Sequence, residues 1–225
     1  PSVIVCAAEA SRKAHVDVGY DENKMLVISN GFDLTALNAT AEERLSIRLE
    51  NGITDQEILI GSVGRFNVVK DHPNFVKAAG IVASRYKNVK FLLVGRELTN
   101  DNSVLMSLLA DTGFSERFIL LGERADIPAC LKAMDIFCLH SVTEGFPNVL
   151  GEAMSMGLPC VTTDVGDASF LIGTTGCVVP SGNPNQLSEG VISLVDIGQD
   201  KRVELGAKSK QRIIDEFTMD VTKSK

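Results

Sequence analysis

The sequence predicts a doubly wound α/β fold, in which helices cover both faces of a parallel sheet. From about residue 55, short runs that are apolar throughout alternate with longer amphipathic runs. Strands buried on both faces have this continuous apolar character, whereas strands with one wet face alternate polar and apolar residues. The 225 residues, 44% hydrophobic and 23% charged, are enough to bury such a core without disulfides or metals.

Most of the predicted strands in this region lead directly into a predicted helix. The helix over 72–85 places Phe75, Val76 and Val82 on one face, as a helix packed on a sheet requires. Asp126 and Pro128 suit the N-cap and the first turn of a helix over 127–133. The predicted strands cover 58–63, 91–94, 118–121, 136–139 and 159–162, and the predicted helices cover 72–85, 104–110, 127–133, 148–156, 184–195 and 202–216.

The first 40 residues have a different character. A short strand over 3–7, a helix over 11–20 and a strand over 27–29 precede a turn at Asn30-Gly31. We expect residues 1–25 to be the tail of a preceding domain together with a crossing linker.

Composition excludes several function classes. The formal net charge of -7 argues against nucleic acid as a partner, because domains that bind phosphate backbones carry a basic face. The five cysteines lack the spacing of a zinc site and are expected to be buried thiols. No apolar run approaches the ~18 residues of a membrane span, and no signal peptide opens the chain. We expect a cytoplasmic protein, and a peripheral membrane contact stays open.

Two acidic residues flank a predicted helix start. Glu144 and Glu152 are eight residues apart, so on one continuous helix they would point roughly 80° away from each other. Pro147 favours a helix that begins there, which leaves Glu144 in the preceding loop and Glu152 in the second turn. Both acids can then face one cleft, where carboxylates accept hydrogen bonds from sugar hydroxyls. Free amides at the helix start suit a diphosphate. A solvated loop acid and a helix-surface acid remain the alternative.

Two cations follow the first strand of the predicted sheet. Arg65 and Lys70 lie just beyond Gly64, at the edge where parallel sheets bind ligands. Fixed cations stabilise the charge that develops on a departing diphosphate. A pair of exposed loop charges is the alternative.

Other site chemistries find little support. The spacing of Gly61 and Gly64 matches neither a dinucleotide-binding nor a P-loop motif. No serine–histidine–aspartate arrangement or metal-ligand spacing occurs, so we expect no metal and no cofactor. His140 ends a predicted strand near Glu144, and a structural role is expected for it.

Taken together, these motifs resemble the retaining glycosyltransferases of family four, the group 1 glycosyl transferases, which have the two-domain GT-B architecture. Residues 64–70 resemble the family's arginine–lysine diphosphate loop, and residues 144–152 its Glu-x7-Glu signature. Residues 153–166 resemble the sequence that follows that signature in the family, and residues 28–33 resemble the start of the family's second domain. The resemblance covers roughly residues 1 to 217, with the motifs in the expected order.

The resemblance implies a donor domain over 26–217 that binds a nucleoside-diphosphate sugar, between the remnant over 1–25 and a tail over 218–225 that returns toward the other domain. It implies sugar transfer with retention, in polysaccharide or glycolipid biosynthesis, with Arg65, Lys70 and Glu144 as catalytic residues. In this resemblance the nucleobase lies near Gly95-Arg96 and Gly122 to Arg124, and Glu152 binds the ribose hydroxyls. The remaining implied substrate-binding residues are Gly64, Gly95, Arg96, Arg124, Gly145, Phe146, Pro147, Asn148, Val149 and Glu152.

The sequence also departs from the family. Asp167 and Phe170 stand where the family usually has a glycine and a glutamate. Because the family binds its acceptor, a sugar or lipid-linked glycan, through an amino-terminal domain, we expect these 225 residues alone to show little or no activity. A non-catalytic nucleotide-sugar-binding module, or a GT-B sugar epimerase or phosphorylase, stays open as an alternative.

Overall fold

A six-stranded, fully parallel sheet forms the centre of the molecule. The computed structural model describes residues 1–223, so the last two residues of the predicted tail lie outside the described part. The strands of this sheet are β3 (Ile58–Val63), β4 (Val89–Val94), β5 (Phe118–Gly122), β6 (Ile136–Leu139), β7 (Cys160–Thr163) and β8 (Cys177–Val179).

The strand order is β5-β4-β3-β6-β7-β8. The chain therefore builds one half of the sheet outward from β3, crosses back, and builds the other half outward from β6. The loops that leave β3 and β6 turn to opposite sides at this point, which opens a crevice at the carboxyl edge of the sheet. The prediction of a doubly wound parallel sheet is confirmed.

Alternate residues of each strand enter two separate hydrophobic cores. Leu59, Leu92 and Phe137 belong to one core, and their neighbours Ile60 and Phe91 belong to the other. Both sets are almost completely buried, because helices cover both faces of the sheet. This two-sided burial explains why the strands are apolar throughout.

Helices connect the strands and pack on both faces. Predicted helix positions agree with the structure to within a few residues, but α2, α7 and α10 were not predicted. The helices are α1 (Glu9–Asp17), α2 (Ala41–Glu50), α3 (His72–Arg85), α4 (Ser103–Asp111), α5 (Ile127–Ala133), α6 (Asn148–Ser155), α7 (Ala168–Ile172), α8 (Pro184–Asp196), α9 (Gln199–Glu216) and α10 (Met219–Lys223).

A second, two-stranded sheet precedes the main one. Strand β1 (Ile4–Cys6) pairs in parallel with β2 (Met25–Val27), and α1 connects them. The predicted strand over 27–29 was placed too late, since β2 ends at Val27. Val5 and Leu26 are register partners and both are exposed.

The chain enters and leaves the main sheet domain at neighbouring points. The Phe32 amide donates to the Phe217 carbonyl at 2.8 Å, and the Met219 amide donates to the Phe32 carbonyl at 3.2 Å. The Phe32 ring lies against α6, where a Cβ on Gly151 would come within 1.9 Å of it. These contacts fix the position of α6, the helix that carries Glu152.

Among the described helices, none combines the length and apolarity that crossing a bilayer requires.

We predict that Gly151→Ala lowers the free energy of unfolding by about 2–3 kcal/mol, because the added methyl group overlaps the buried Phe32 ring. The measurement is urea denaturation followed by circular dichroism. Gly80→Ala in α3 is the matched control, since its Cβ would come no closer than 3.2 Å to Thr112. Equal stability of the two variants would contradict this account of α6 packing.

Candidate functional site

The loops that follow β3 and β6, which carry Lys70 and Glu144, meet at the crevice. The Val142 amide of the second loop donates to the Val69 carbonyl of the first at 2.9 Å. Residues that are far apart in the sequence therefore share one edge of the sheet, as the predicted topology requires.

Lys70 and Glu144 form an ion pair at the centre of this crevice. The Lys70 ammonium donates to Glu144 Oε1 at 2.6 Å, and the Ser141 hydroxyl donates to the same oxygen at 2.6 Å. The Lys70 and Glu144 side chains are 22% and 14% exposed, so both retain access to solvent. The sequence placed Lys70 and Glu144 at one edge, but it did not predict their direct contact or the hydroxyl of Ser141.

The start of α6 offers free amides beside this pair. Pro147 occupies the N-cap position without any side-chain cap in the described chain. Asn148 accepts a hydrogen bond from the Asn30 amide group at 2.8 Å, which ties the loop over 28–33 to the helix start. Uncapped first-turn amides at the positive end of a helix are a site for anions.

Glu152 lies in the second turn of α6, as predicted. Burial raises the pKa of its carboxyl group. No side-chain hydrogen bond of Glu152 occurs within residues 1–223, so the carboxyl group is free to take a ligand hydroxyl. Glu144 therefore has two protein partners and Glu152 has none in this part of the chain.

Arg65 is exposed at the mouth of the crevice and makes no ion pair within residues 1–223. The loop that carries Arg65 is fixed through its backbone. The Gly64 amide donates to the Val94 carbonyl at 2.9 Å, and the Phe66 amide donates to the Arg96 carbonyl at 2.9 Å. A Cβ on Gly95 would lie 2.3 Å from the Gly64 carbonyl oxygen, so the two loops approach closely only because this residue is glycine.

The loops that follow β4 and β5 are also connected at this edge. The Gly95 amide donates to the Gly122 carbonyl at 2.7 Å, which joins the loops that carry Arg96 and Arg124 at the same edge of the sheet. Arg124 donates through Nε to Asp126 at 2.8 Å, and this partner raises the arginine pKa. Asp126 occupies the predicted N-cap position, but its carboxylate does not cap α5. The sequence predicted Asp126 at the N-cap position but did not predict its hydrogen bond with Arg124.

Two buried histidines lie directly beneath Lys70. His140 contacts the Ser62 hydroxyl at 2.7 Å through Nε2 and the Lys70 carbonyl through Nδ1, which fixes the Lys70 backbone. The His72 ring lies 5.0 Å from the His140 ring, and neither of its nitrogens has a partner in the described chain. Burial lowers the pKa of His72 to about 4, and the charge of Lys70 acts in the same direction. Burial, with repulsion from His72, also lowers the pKa of His140 well below its ordinary value.

A cleft of about 540 Å³ lies between α1 and the Glu144 loop. A second cleft of about 560 Å³ lies at the opposite edge of the sheet, between Arg44, Asp135 and Arg202, and contains none of the predicted site residues. The chemistry-bearing residues favour the first location. Within residues 1–223, no three histidine, cysteine, aspartate or glutamate side chains converge as metal ligands.

The sequence is similar to those of known proteins. The family model described as "Glycosyl transferases group 1" matches residues 57–196. The UDP-Gal:alpha-D-GlcNAc-diphosphoundecaprenol alpha-1,3-galactosyltransferase of Escherichia coli is 29% identical over 205 residues, which are 88% of this chain and 52% of that protein. The capsular polysaccharide biosynthesis glycosyltransferase CapM of Staphylococcus aureus is 26% identical over 209 residues, 89% of this chain and 53% of that protein.

The fold also occurs in solved structures. Anabaena HepE in complex with UDP and glucose superposes with a TM-score of 0.90 at 24% sequence identity, over 99% of this chain and 61% of that chain. The predicted GT-B type of α/β fold agrees with this similarity. The chain spans about half the length of the curated relatives it matches.

We predict that His72→Phe weakens the acid sensitivity of folding between pH 6 and pH 5. His72 is neutral when folded, because its pKa is about 4, and it takes up a proton on unfolding below its ordinary pKa of about 6.5. Stability therefore falls as the pH falls through this window. The variant should lose about 1 kcal/mol less per pH unit than the wild type, measured by denaturant unfolding at each pH.

Asn74→Ala is the control for this prediction. Asn74 is a buried, unpartnered side chain in the same turn, among the residues described, but it carries no titrating group. Its substitution should shift stability equally at every pH. An unchanged slope in His72→Phe would mean that the buried imidazole is charged in the folded protein.

Proposed function

The chain belongs to glycosyl transferases group 1, and from that premise we propose that it binds a nucleoside-diphosphate sugar as the donor for transfer to an acceptor glycan or glycolipid. The observation that carries the proposal is the Lys70–Glu144 pair beside the uncapped start of α6. A cation, an acid and free helix amides together match a diphosphate joined to a hydroxyl-rich sugar.

The diphosphate lies, in this proposal, between Arg65, Lys70 and the first amides of α6. The two side chains supply positive charge, and Asn148 and Val149 supply backbone donors. Because charge develops on the diphosphate as the glycosidic bond breaks, these groups stabilise the transition state more than the ground state. The exposed, unpaired guanidinium of Arg65 supports this role in the part of the chain described.

The two acids take the two sugars of the donor. Glu144 accepts hydrogen bonds from hydroxyls of the transferred sugar, and Glu152 accepts them from the ribose. The backbone of Gly145 to Val149 lies between them. The base rests near Gly95-Arg96 and Gly122 to Arg124, where three loops are joined by hydrogen bonds.

The proposed reaction retains the configuration at the anomeric carbon, as in family four. The bond from that carbon to the β-phosphate oxygen breaks, and an acceptor oxygen bonds to the same face. The acceptor proton passes to the departing phosphate oxygen. Arg65 and Lys70 hold that phosphate in place. The departing phosphate is therefore both the leaving group and the general base that accepts the acceptor proton, and two cations position it.

The proposed domain division follows from the same assignment. In this proposal residues 26–217 form the donor domain, residues 1–25 belong with an acceptor-side domain, and the tail that begins at residue 218, of which 218–223 are described, would return toward it. The two-stranded sheet of β1 and β2 is separate from the six-stranded sheet, which supports a division near this point, since two strands alone are marginally stable. Strand β2 (Met25–Val27) runs across residue 25, so the proposed boundary falls within this small sheet.

We predict that one of UDP, GDP and ADP binds saturably to the chain without added metal, and that Lys70→Ala weakens its binding about tenfold to a hundredfold. The loss corresponds to a charge-assisted hydrogen bond to a phosphate oxygen. The measurement is isothermal titration calorimetry. Lys77→Ala, an exposed lysine of α3 outside the crevice, should bind like the wild type.

Absence of binding by all three nucleotides would overturn the donor-site proposal. Equal loss in the Lys70 and Lys77 variants would show a general charge effect in place of a site.

We predict a different pattern for Glu144→Gln. The bare nucleotide should bind at least as well as to the wild type, because Lys70 no longer pairs with a carboxylate. Sugar transfer should fall by about tenfold or more, since an amide accepts fewer hydrogen bonds from the sugar hydroxyls. The measurement is turnover in the full enzyme, beside nucleotide titration. Unchanged turnover would contradict the role of Glu144.

A further inference from the structure

Helix α1 is capped by a side chain that lies more than 150 residues further along the chain. Ala8 occupies the N-cap position and has no side-chain oxygen to offer. The Glu9 amide instead donates to Asp167 Oδ2 at 2.8 Å, and the Ala10 amide donates to Asp167 Oδ1 at 3.0 Å. One carboxylate thus takes two first-turn amides, one on each oxygen, at the positive end of the helix.

This cap is an important attachment, because α1 itself buries none of its residues. Ala8, just before the helix, is fully buried in the same core as Phe146. The start of α1 is therefore anchored by a buried methyl group and by the Asp167 carboxylate, while the rest of the helix lies on the surface.

The backbone of Asp167 holds the Glu144 loop at the same time. The Asp167 amide donates to the Gly145 carbonyl at 2.9 Å. Gly166 has φ of 54°, and a Cβ there would lie 2.4 Å from the carbonyl oxygens of both Glu144 and Gly145. The turn at 166–167 therefore rests directly on the peptide that follows Glu144.

These two attachments define the cleft of about 540 Å³ beside Glu144. Ala10 and Ala14 of α1 form one wall, and Glu144 with Gly145 forms the other. The walls meet near Ser11, whose hydroxyl oxygen would lie 3.1 Å from a Cβ on Gly145. The cleft is within the size range of small-molecule sites.

We propose that Asp167 is a positioning residue, which fixes α1 as the second wall of the cleft in which the transferred sugar lies against Glu144. The inference rests on the proposed donor site and adds the element that encloses its sugar. The hydrogen bonds of the Asp167 carboxylate within residues 1–223 go to α1, so this side chain acts through that helix. Ala10 and Ala14 leave the space that a sugar ring occupies.

The test separates sugar binding from nucleotide binding. The probes are UDP, GDP and ADP, with UDP-glucose, UDP-galactose, UDP-N-acetylglucosamine, GDP-mannose and ADP-glucose. The measured quantity is the sugar preference, the Kd of the bare nucleotide divided by the Kd of its tightest-binding sugar derivative. In Asp167→Gly this preference should fall about tenfold, while the Kd of the bare nucleotide stays unchanged. Asp167→Asn, which keeps one accepting oxygen, should fall in between.

Two further variants guard against a merely structural effect. Asp164→Asn is the matched control, because Asp164 is an exposed acid of the same loop that contacts Ser169 and not α1. Ala14→Phe places a bulky ring on the exposed face of α1, where folding is not at stake, and should lower the sugar preference by filling the cleft. Hydrogen exchange over residues 9–17 should accelerate in Asp167→Gly and not in Asp164→Asn.

The outcomes separate the two proposals. A wild-type chain that binds none of the nucleotides would overturn the proposed function and this inference with it. Nucleotide binding with no sugar preference, or with a preference that Asp167→Gly and Ala14→Phe leave intact, would overturn the inference alone. Faster exchange in α1 with unchanged sugar preference would show that Asp167 caps the helix without serving the site.

Discussion

The pairing of β3 with β6 in the middle of the sheet is the constraint on which the site depends. Their register pairs Gly61 with Phe137, so the two strands end side by side and their loops diverge at the crevice. The close packing beneath this pair requires Gly61, since a Cβ there would lie 2.1 Å from the sulfur of Met134. Lys70 and Glu144, which are 74 residues apart, form a hydrogen bond because these strand ends are fixed.

An ion pair at a ligand site must be stable before binding and exchangeable during it. Lys70 and Glu144 are partly exposed, so their attraction is screened by water and amounts to about 1 kcal/mol or somewhat more. A diphosphate carries more charge than one carboxylate and can take Lys70 from it. Glu144 would not be left unpartnered by this exchange, because the Ser141 hydroxyl also donates to it. In the proposed complex, Lys70 would then donate to phosphate while the Ser141 hydroxyl continues to donate to Glu144.

Sequence periodicity predicted the strands, the helix over 72–85 and the loop position of Glu144, because each depends on burial or on local backbone preference. It missed α2, whose buried residues are only Ile47 and Arg48, so no apolar stripe marks the helix. Arg48 is 2% exposed, and its terminal nitrogen Nη1 donates to the Ala133 carbonyl and to Asp135, partners that lie far along the chain. Asp167 was noted as a departure from the family, but its partner amides lie 157 and 158 residues away. Tertiary hydrogen bonds of this kind leave no periodic signal.

The two histidines beneath Lys70 are neutral, so they do not repel its ammonium group. A charged imidazole there would repel Lys70 and would have to be desolvated, and burial keeps both rings neutral. His140 uses its two nitrogens to join Ser62 of β3 to the Lys70 backbone, so the loop is held by the sheet itself. His72 contributes its ring and leaves both nitrogens unpartnered in the described chain, which costs stability at this position. Natural proteins accept such costs at functional sites, and the loop next to His72 is the one that carries Lys70 of the proposed site.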